Sequence, residues 1–460
     1  MTERPIVLIH GYSDRGESFR NWAQALEAKG YEVASTHVAS YQTLTNEVSI
    51  DDIAEGLDRA LRIEAGLKDN QEFDAIVHST GMLVARSWLA TYGRQHRRLR
   101  HLIGLAPATF GSPLAHKGRS RLASLFKGKK DIGSPDFLEA GDRVLDALEL
   151  GSSFTWDLTH RDLLGPQPVY DHSDESPFVF TFCGNEAYSG LYGFFGDLAN
   201  LDDDGTDGTV RWAGCSLDTL KVVLDLTRGP ANAGDRIRFE KPLAKLAPLV
   251  PIKGKNHGSI LRNPSDELVD LVDRALKVNS EAAFTNWQTE AKALTREAFK
   301  TMDEYQQFVI RVEDERGRPI RDWNLDIHLS SPPNAGRPIK VDVHPYGSYP
   351  SLRCFHVRFN DFKGVKVENL WLRLFLSSGS TLVGYSGYTD HSDDSDQDRA
   401  DRPGWWDGWL NVSHLIRQGQ TSFFYPFTTT LIQFTLNREP LPLDPNERNR
   451  VLEFLPLEDN

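Results

Sequence analysis

The chain has 460 residues, of which 39% are hydrophobic, 25% charged and 10% aromatic. That length suits two or three folding units of ~100–200 residues, and the composition excludes a disordered chain, a collagen and a coiled coil. Acidic residues number 65 against 52 basic ones, a net charge of −13; a nucleic-acid binder has the opposite sign, so no nucleic-acid partner is expected.

The first residues run straight into an apolar stretch, without the basic start, long apolar segment and small-residue cleavage site of a signal peptide. No segment is apolar enough for a spanning helix, so a cytoplasmic location is expected. Pro5-Ile-Val-Leu-Ile9 reads as a strand buried on both faces, and His10-Gly11-Tyr12 follow it at once. Phe19, Trp22 and Leu26 then fall on one face of a helix. Asp51-Asp52 open a second helix, with Ile53, Leu57 and Leu61 recurring every four residues. Asp74–Val77 is a predicted strand, Gly81–Tyr92 a helix, and Leu102–Leu105, Phe178–Phe182, Thr209–Trp212 and Leu249-Val250 further strands. This alternation implies a mostly parallel sheet with helices on both faces.

Phe284, Trp287, Ala291, Leu294, Ala298 and Tyr305 stripe one long predicted helix. Beyond it, Phe308–Val312, Leu325/Ile327/Leu329, Phe355/Val357/Phe359, Leu370–Leu376 and Leu431–Leu436 alternate in and out, as in an antiparallel β-sandwich. The expected division is an α/β domain over 1–280, a connecting helix over 281–305 and a sandwich over 306–460. The three cysteines, Cys183, Cys215 and Cys354, are too widely spaced for a disulfide framework or zinc motif, and read as small buried residues.

The chemistry concentrates at Asp74-Ala-Ile-Val-His-Ser-Thr-Gly-Met82, where a buried strand breaks at His78-Ser79-Thr80-Gly81 into a helix. This is the setting of a nucleophile elbow, in which a strained turn lifts a serine hydroxyl to the edge of an α/β-hydrolase sheet. Gly81 supplies the small neighbour such a turn needs, while Val77 stands where G-x-S-x-G has its first glycine. The plainer alternative is an ordinary helix cap. His10-Gly11 ends the first strand, where this fold takes one oxyanion-hole N–H; the donors here are expected from Tyr12 and Thr80. A serine nucleophile needs a base, and the chain order is serine, acid, histidine. His257, in Gly254-Lys-Asn-His-Gly258 after the Leu249-Val250 strand, is the expected base. Asp207, before Gly208, is the expected acid, with Asp204 second among Asp202, Asp203 and Asp204.

Val77-His-Ser-Thr-Gly-Met-Leu-Val-Ala-Arg86 resembles the T-H-S-T-G-G signature of bacterial PlaB-type phospholipases A. Similar segments are Ser49–Ala54, Leu105–Ser112, Gly118–Leu122, Val144–Ser152 and Asp207–Arg211. The resemblance covers most of residues 5–262 and departs at Val77, at Met82 and around His257. It implies an α/β hydrolase followed by an antiparallel β-sandwich. Ser79, Asp207 and His257 would form the catalytic triad, supported by His10, Gly11, His78 and Gly81. It further implies a phospholipase A/lysophospholipase, peripheral membrane contact and homo-oligomers; the triad chemistry needs no cofactor or metal. The alternatives are a soluble carboxylesterase or thioesterase, or a non-catalytic hydrolase-fold binding protein.

Three further stretches have a lipid-facing and a bland reading. Lys117–Lys130 sets basic groups beside Leu122, Leu125 and Phe126, as a phospholipid surface favours, or is a solvated helix face. Tyr188–Gly196 is glycine-spaced and aromatic, suiting a lid, an acyl-pocket wall or core. Asp390–Asp396 precedes Trp405, Trp406 and Trp409: the carboxylates suit calcium or a solvated loop, the tryptophans an anchor or sandwich core.

Overall fold

A computed structural model describes residues 4–11, 16–33, 47–63, 65–68, 71–93, 97–116, 142–166, 169–170, 176–188, 205–228, 236–241, 249–332, 334–346, 349–362, 369–391, 404–417 and 423–441. Their contacts divide into two units. The first comprises 1–220, 241–307 and 426–429; the second comprises 221–240, 308–425 and 430–460.

In the first unit, β1 (Ile6–Ile9) is buried throughout because the sheet is covered on both faces. Val7 and Ile9 enter one core, Ile6 and Leu8 the other. β1 pairs in parallel with β2 (Phe73–His78), then β3 (Leu99–Leu105), β4 (Phe178–Gly184) and β7 (Leu249–Ile252). On the far edge of β1, Ile6 makes a parallel bridge to Val33. The chain thus leaves β1 in one direction and returns as β2 in the other. Such a reversal opens a crevice at the strands' carboxyl ends, where open α/β sheets bind ligands.

One face is covered by α2 (Ile50–Ile63), α3 (Gly81–Trp88), α4 (Asp142–Leu148) and α5 (Ser153–Asp162). Ser49 Oγ accepts from Asp52 N–H and Asp52 Oδ2 from Ser49 N–H, a reciprocal box that starts α2. The helix expected over Gly81–Tyr92 is α-helical only to Trp88 and closes in a π-turn over Leu89–Gly93. The other face carries α1 (Arg20–Ala28), α6 (Asp266–Leu276) and α7 (Glu281–Phe299). Gly30, at φ +89°, stops α1: Tyr31 N–H reaches Leu26 O and Gly30 N–H reaches Glu27 O.

The α7 stripe does not bridge domains. Phe284 and Trp287 sit edge-on to Phe180 of β4, so the helix is part of the first unit's core. Burying rings of this size contributes roughly 1.5–3 kcal/mol each. Tyr305 is not on that helix; it starts β8. All three cysteines are buried and free, as the sequence reading expects.

Five strand pairs of the second unit run antiparallel. β8 (Tyr305–Asp314), β10 (Asp342–Pro345), β11 (Leu352–Arg358) and β15 (Thr429–Pro440) share a seven-stranded sheet with β5 (Thr219–Asp225), β6 (Ile237–Glu240) and β13 (Val383–Ser386). The β5–β6 hairpin lies inside the span expected for the α/β domain, yet it pairs here, so residue 280 is not where the chain divides. β9 (Asp322–His328), β12 (Trp371–Ser377) and β14 (Trp405–Asn411) form a second sheet. Side chains from both sheets meet at Gly387, where an added Cβ would lie within 3.2–3.3 Å of Leu436, Leu226 and Trp406. This is a sandwich core. Trp406 and Trp409 are buried and Trp405 is half-exposed. Among the described residues, no helix is long and apolar enough to cross a membrane.

Candidate active site

Ser79 follows β2 directly and has φ +53°. A left-handed backbone costs a non-glycine residue roughly 1–2 kcal/mol, so its surroundings must impose it. Hydrogen bonds do so from both sides: Ser79 N–H donates to Leu105 O (3.2 Å), and Ser79 O accepts from Met82 N–H (3.1 Å) and Ala108 N–H (3.0 Å). The remaining constraint is space. A Cβ on Gly11 would lie 2.8 Å from Ser79 Cβ, and one on Gly81 would lie 2.7 Å from Ile9 O. Glycines at both positions let the end of β1 and the start of α3 close around the serine.

The two departures from the T-H-S-T-G-G pattern have a structural account. Val77 is buried in β2 between Ile9 and Gly104. A Cβ on Gly104 would stand 2.7 Å from Met82 Cε. The methionine that replaces a glycine in the motif therefore occupies space that Gly104 leaves on the next strand.

Asp207 and His257 come from separate loops and are fully buried together. His257 Nδ1–H donates to Asp207 Oδ2 at 2.9 Å. The other carboxylate oxygen accepts from Thr209 N–H (3.0 Å) and Val210 N–H (2.8 Å). A carboxylate bonded this way can only accept, so in the neutral imidazole Nδ1 carries the proton and Nε2 the lone pair. His257 N–H also donates to Asp207 O at 2.9 Å, tying the loops at the backbone. The short strand expected at Thr209–Trp212 is instead a turn, with a 3-10 helix over Trp212–Gly214. That turn is what points two consecutive N–H groups at Asp207.

His78 links the elbow to His257. Its Nε2–H donates to His257 O at 3.0 Å, and the two rings lie 4.7 Å apart. Burial, then the neighbouring His257, holds its pKa well below the usual histidine range, so His78 is neutral. His10 is buried beside it, with Nδ1–H donating to Gly11 O at 2.8 Å. Thr80 directly precedes α3, its side chain making no capping hydrogen bond to that helix. Tyr12, the other expected oxyanion donor, lies outside the described residues, as do Asp202–Asp204, Lys117–Lys130, 189–196 and 392–401. Asp390 itself is committed to Asn411 N–H, Tyr388 Oη and Arg236. No cluster of potential metal ligands occurs among the described residues.

Three residues brace the Asp207–His257 pair and the elbow in ways that were not read from the sequence. Tyr188 packs against the backbone of both loops: a Cβ on Gly208 would meet its ring at 2.6 Å, and one on Gly258 its hydroxyl at 3.2 Å. Loss of solvent, then the Asp207 charge, pushes its phenol up to about 12. The signal was present in the two glycines that follow the acid and the base. Ser112 Oγ–H donates to Thr209 O at 2.5 Å, bracing the turn that holds Asp207. Arg86, fully buried on α3, grips Asp162 through Nε (2.8 Å) and Nη2 (3.0 Å) and Thr109 O through Nη1 (2.9 Å). An arginine within the apolar stretch Met82–Trp88 was its sequence signal.

The sequence model of the palmitoyl protein thioesterase family matches residues 5–130, which include the elbow. No curated protein matches the chain by sequence. Among solved structures, phospholipase PlaB from Legionella pneumophila in complex with thio-NAD is 22% identical, with TM-score 0.74 over 95% of this chain and 94% of that one. A second structure of PlaB is 21% identical, with the same TM-score and coverage. The family whose motifs the sequence resembles is thus one whose solved structure shares this fold, an α/β-hydrolase unit and a β-sandwich unit, over nearly the whole chain.

Proposed function

We propose that the chain is a serine-dependent lipolytic hydrolase that cleaves acyl esters of glycerophospholipids and lysophospholipids. One observation carries this reading: a serine in a left-handed strand–helix turn stands beside a histidine, His78, that contacts a buried Asp207–His257 pair. In this mechanism His257 Nε2 takes the Ser79 proton as Oγ attacks the ester carbonyl. Asp207 holds the tautomer and stabilises the imidazolium. The N–H groups of Thr80 and Tyr12 receive the oxyanion. His257 then protonates the departing alcohol, and water, deprotonated by the same ring, releases the fatty acid. The lipid substrate class is supported by the motif resemblance and the fold shared with PlaB. Peripheral membrane contact and self-association belong to the same proposal and rest on the family resemblance.

Mixed phospholipid micelles test it. The expected result is fatty-acid release that jumps at the micelle threshold and disappears in Ser79→Ala, with sizing at several concentrations to report assembly. Full activity in Ser79→Ala would sink the proposal. A second reading is favoured by the thioesterase family match: the same acyl-enzyme route on a thioester. Palmitoyl thioester turnover far above that of phospholipid would select it.

A further inference from the structure

A second feature stands at the same end of the sheet. An open depression of about 310 Å³ is lined by Ser18, Arg20, Asn21 and Arg262, the last three exposed, at the lower end of the ~300–1,000 Å³ range of small-molecule sites. Its walls come from two segments that leave strand carboxyl ends. Ser18–Asn21 follow β1 and its Gly11, which closes on Ser79; Arg262 ends the short helix Ser259–Arg262 that begins two residues past His257. The two walls are fastened together: Asn21 Nδ2–H donates to Arg262 O, and Trp22 Nε1–H to Ile260 O at 3.1 Å. Arg262 N–H bonds Gly258 O at 3.0 Å within this helix, whose N-cap Gly258 directly follows His257. The positive charge of Arg262 is felt at His78 and Tyr188, both beside the acid–base pair.

The chemistry of the lining is specific. In a chain of net charge −13, the described lining has two guanidinium groups, a hydroxyl and an amide, and no carboxylate. Among the described residues Arg20 makes no ion pair. Guanidinium forks match phosphate oxygens in pairs, and serine and asparagine add neutral donors.

We propose that this depression is a phosphate subsite, and that it holds the head-group phosphodiester of the phospholipid whose acyl ester is presented to Ser79. The proposal rests on the hydrolase reading above and assigns it a means of separating phospholipids from neutral glycerides.

The test uses the full chain and has two arms. In the first, Ser79→Ala protein is titrated calorimetrically with sn-glycero-3-phosphocholine and with inorganic phosphate at low salt. Binding is expected to weaken ~10-fold or more in an added Arg20→Gln/Arg262→Gln pair, and to be unaffected by Arg59→Gln on the exposed face of α2. In the second, kcat/KM is compared for phosphatidylcholine and diacylglycerol of the same acyl chains in one detergent. The arginine pair should lower the phospholipid-to-glyceride ratio ~10-fold or more. An unchanged ratio with unchanged binding overturns the subsite. A loss confined to inorganic phosphate, with the ratio unchanged, overturns the head-group source. Arginine-dependent phosphate binding in a wild-type protein that hydrolyses neither ester would retire the hydrolase reading and the head-group source together.

Discussion

The elbow and the acid–base pair are held by opposite means. Ser79 is placed by backbone and packing: a strained φ, three main-chain hydrogen bonds, and glycines at positions 11 and 81 where any Cβ would collide. Asp207 and His257 are placed by side-chain hydrogen bonds between loops, with Tyr188 packed against both. A nucleophile on a rigid strand–helix turn tolerates strain but not volume. The Asp207–His257 pair depends instead on each donor and acceptor that holds it.

This contrast orders the expected effects. Ser79→Ala should lower kcat ~10⁴–10⁶-fold with thermal stability at or above wild type, since it removes the reacting atom and little packing. Asp207→Asn keeps the volume but favours the wrong histidine tautomer, and steady-state kinetics should show a ~10³–10⁴-fold fall in kcat. Gly11→Ala and Gly81→Ala test packing directly. Each should cost roughly 1–3 kcal/mol in urea unfolding, because the obstructing neighbour is Ser79 itself or backbone. Each should also lower kcat/KM up to ~100-fold through misplacement of the serine. Full activity in either would show that volume does not position Ser79.

Smaller effects are expected at His78. Because burial keeps His78 neutral, the unfolded chain binds a proton below about pH 6.5 that the folded chain refuses. Its contribution is therefore constant above that value. Stability is lost as pH falls through it toward the lower folded value, by up to ~1.4 kcal/mol per pH unit. Urea unfolding between about pH 5 and about pH 7 should show this slope, and His78→Gln should reduce it. The glutamine amide can still donate to His257 O, so His78→Gln should keep more activity than His78→Ala. Equal activities would deny the hydrogen bond its positioning role. Tyr188→Phe removes only a phenol hydroxyl that stands against Gly258, a loss of about 1 kcal/mol that should appear as a less than ~10-fold change in kcat/KM.

The elements that position the site were legible because their causes are local. A continuous apolar run marks a strand covered on both faces, and β1, β2, β3, β4 and β7 all appear where such runs stand. That Asp207 and His257 would come together was expected from chain order and from the glycines beside them, and they are hydrogen-bonded. What escaped depends on partners distant in sequence. Nothing near Met82 reveals that Gly104 makes room for it. The β5–β6 hairpin is apolar and β-branched like its neighbours, and only its place beside β15 assigns it to the second unit. Tyr305 continues a helical stripe by spacing, yet it starts a strand and its ring packs over Gly205, two residues before Asp207.

The central claim is that Ser79 is the activated nucleophile. Incubation of the native protein with a fluorophosphonate, followed by peptide mass spectrometry, tests it most directly. The account predicts a single phosphonyl adduct on Ser79, absent from Ser79→Ala and strongly slowed in His257→Ala. No adduct, or one on another residue that persists in Ser79→Ala, would contradict it.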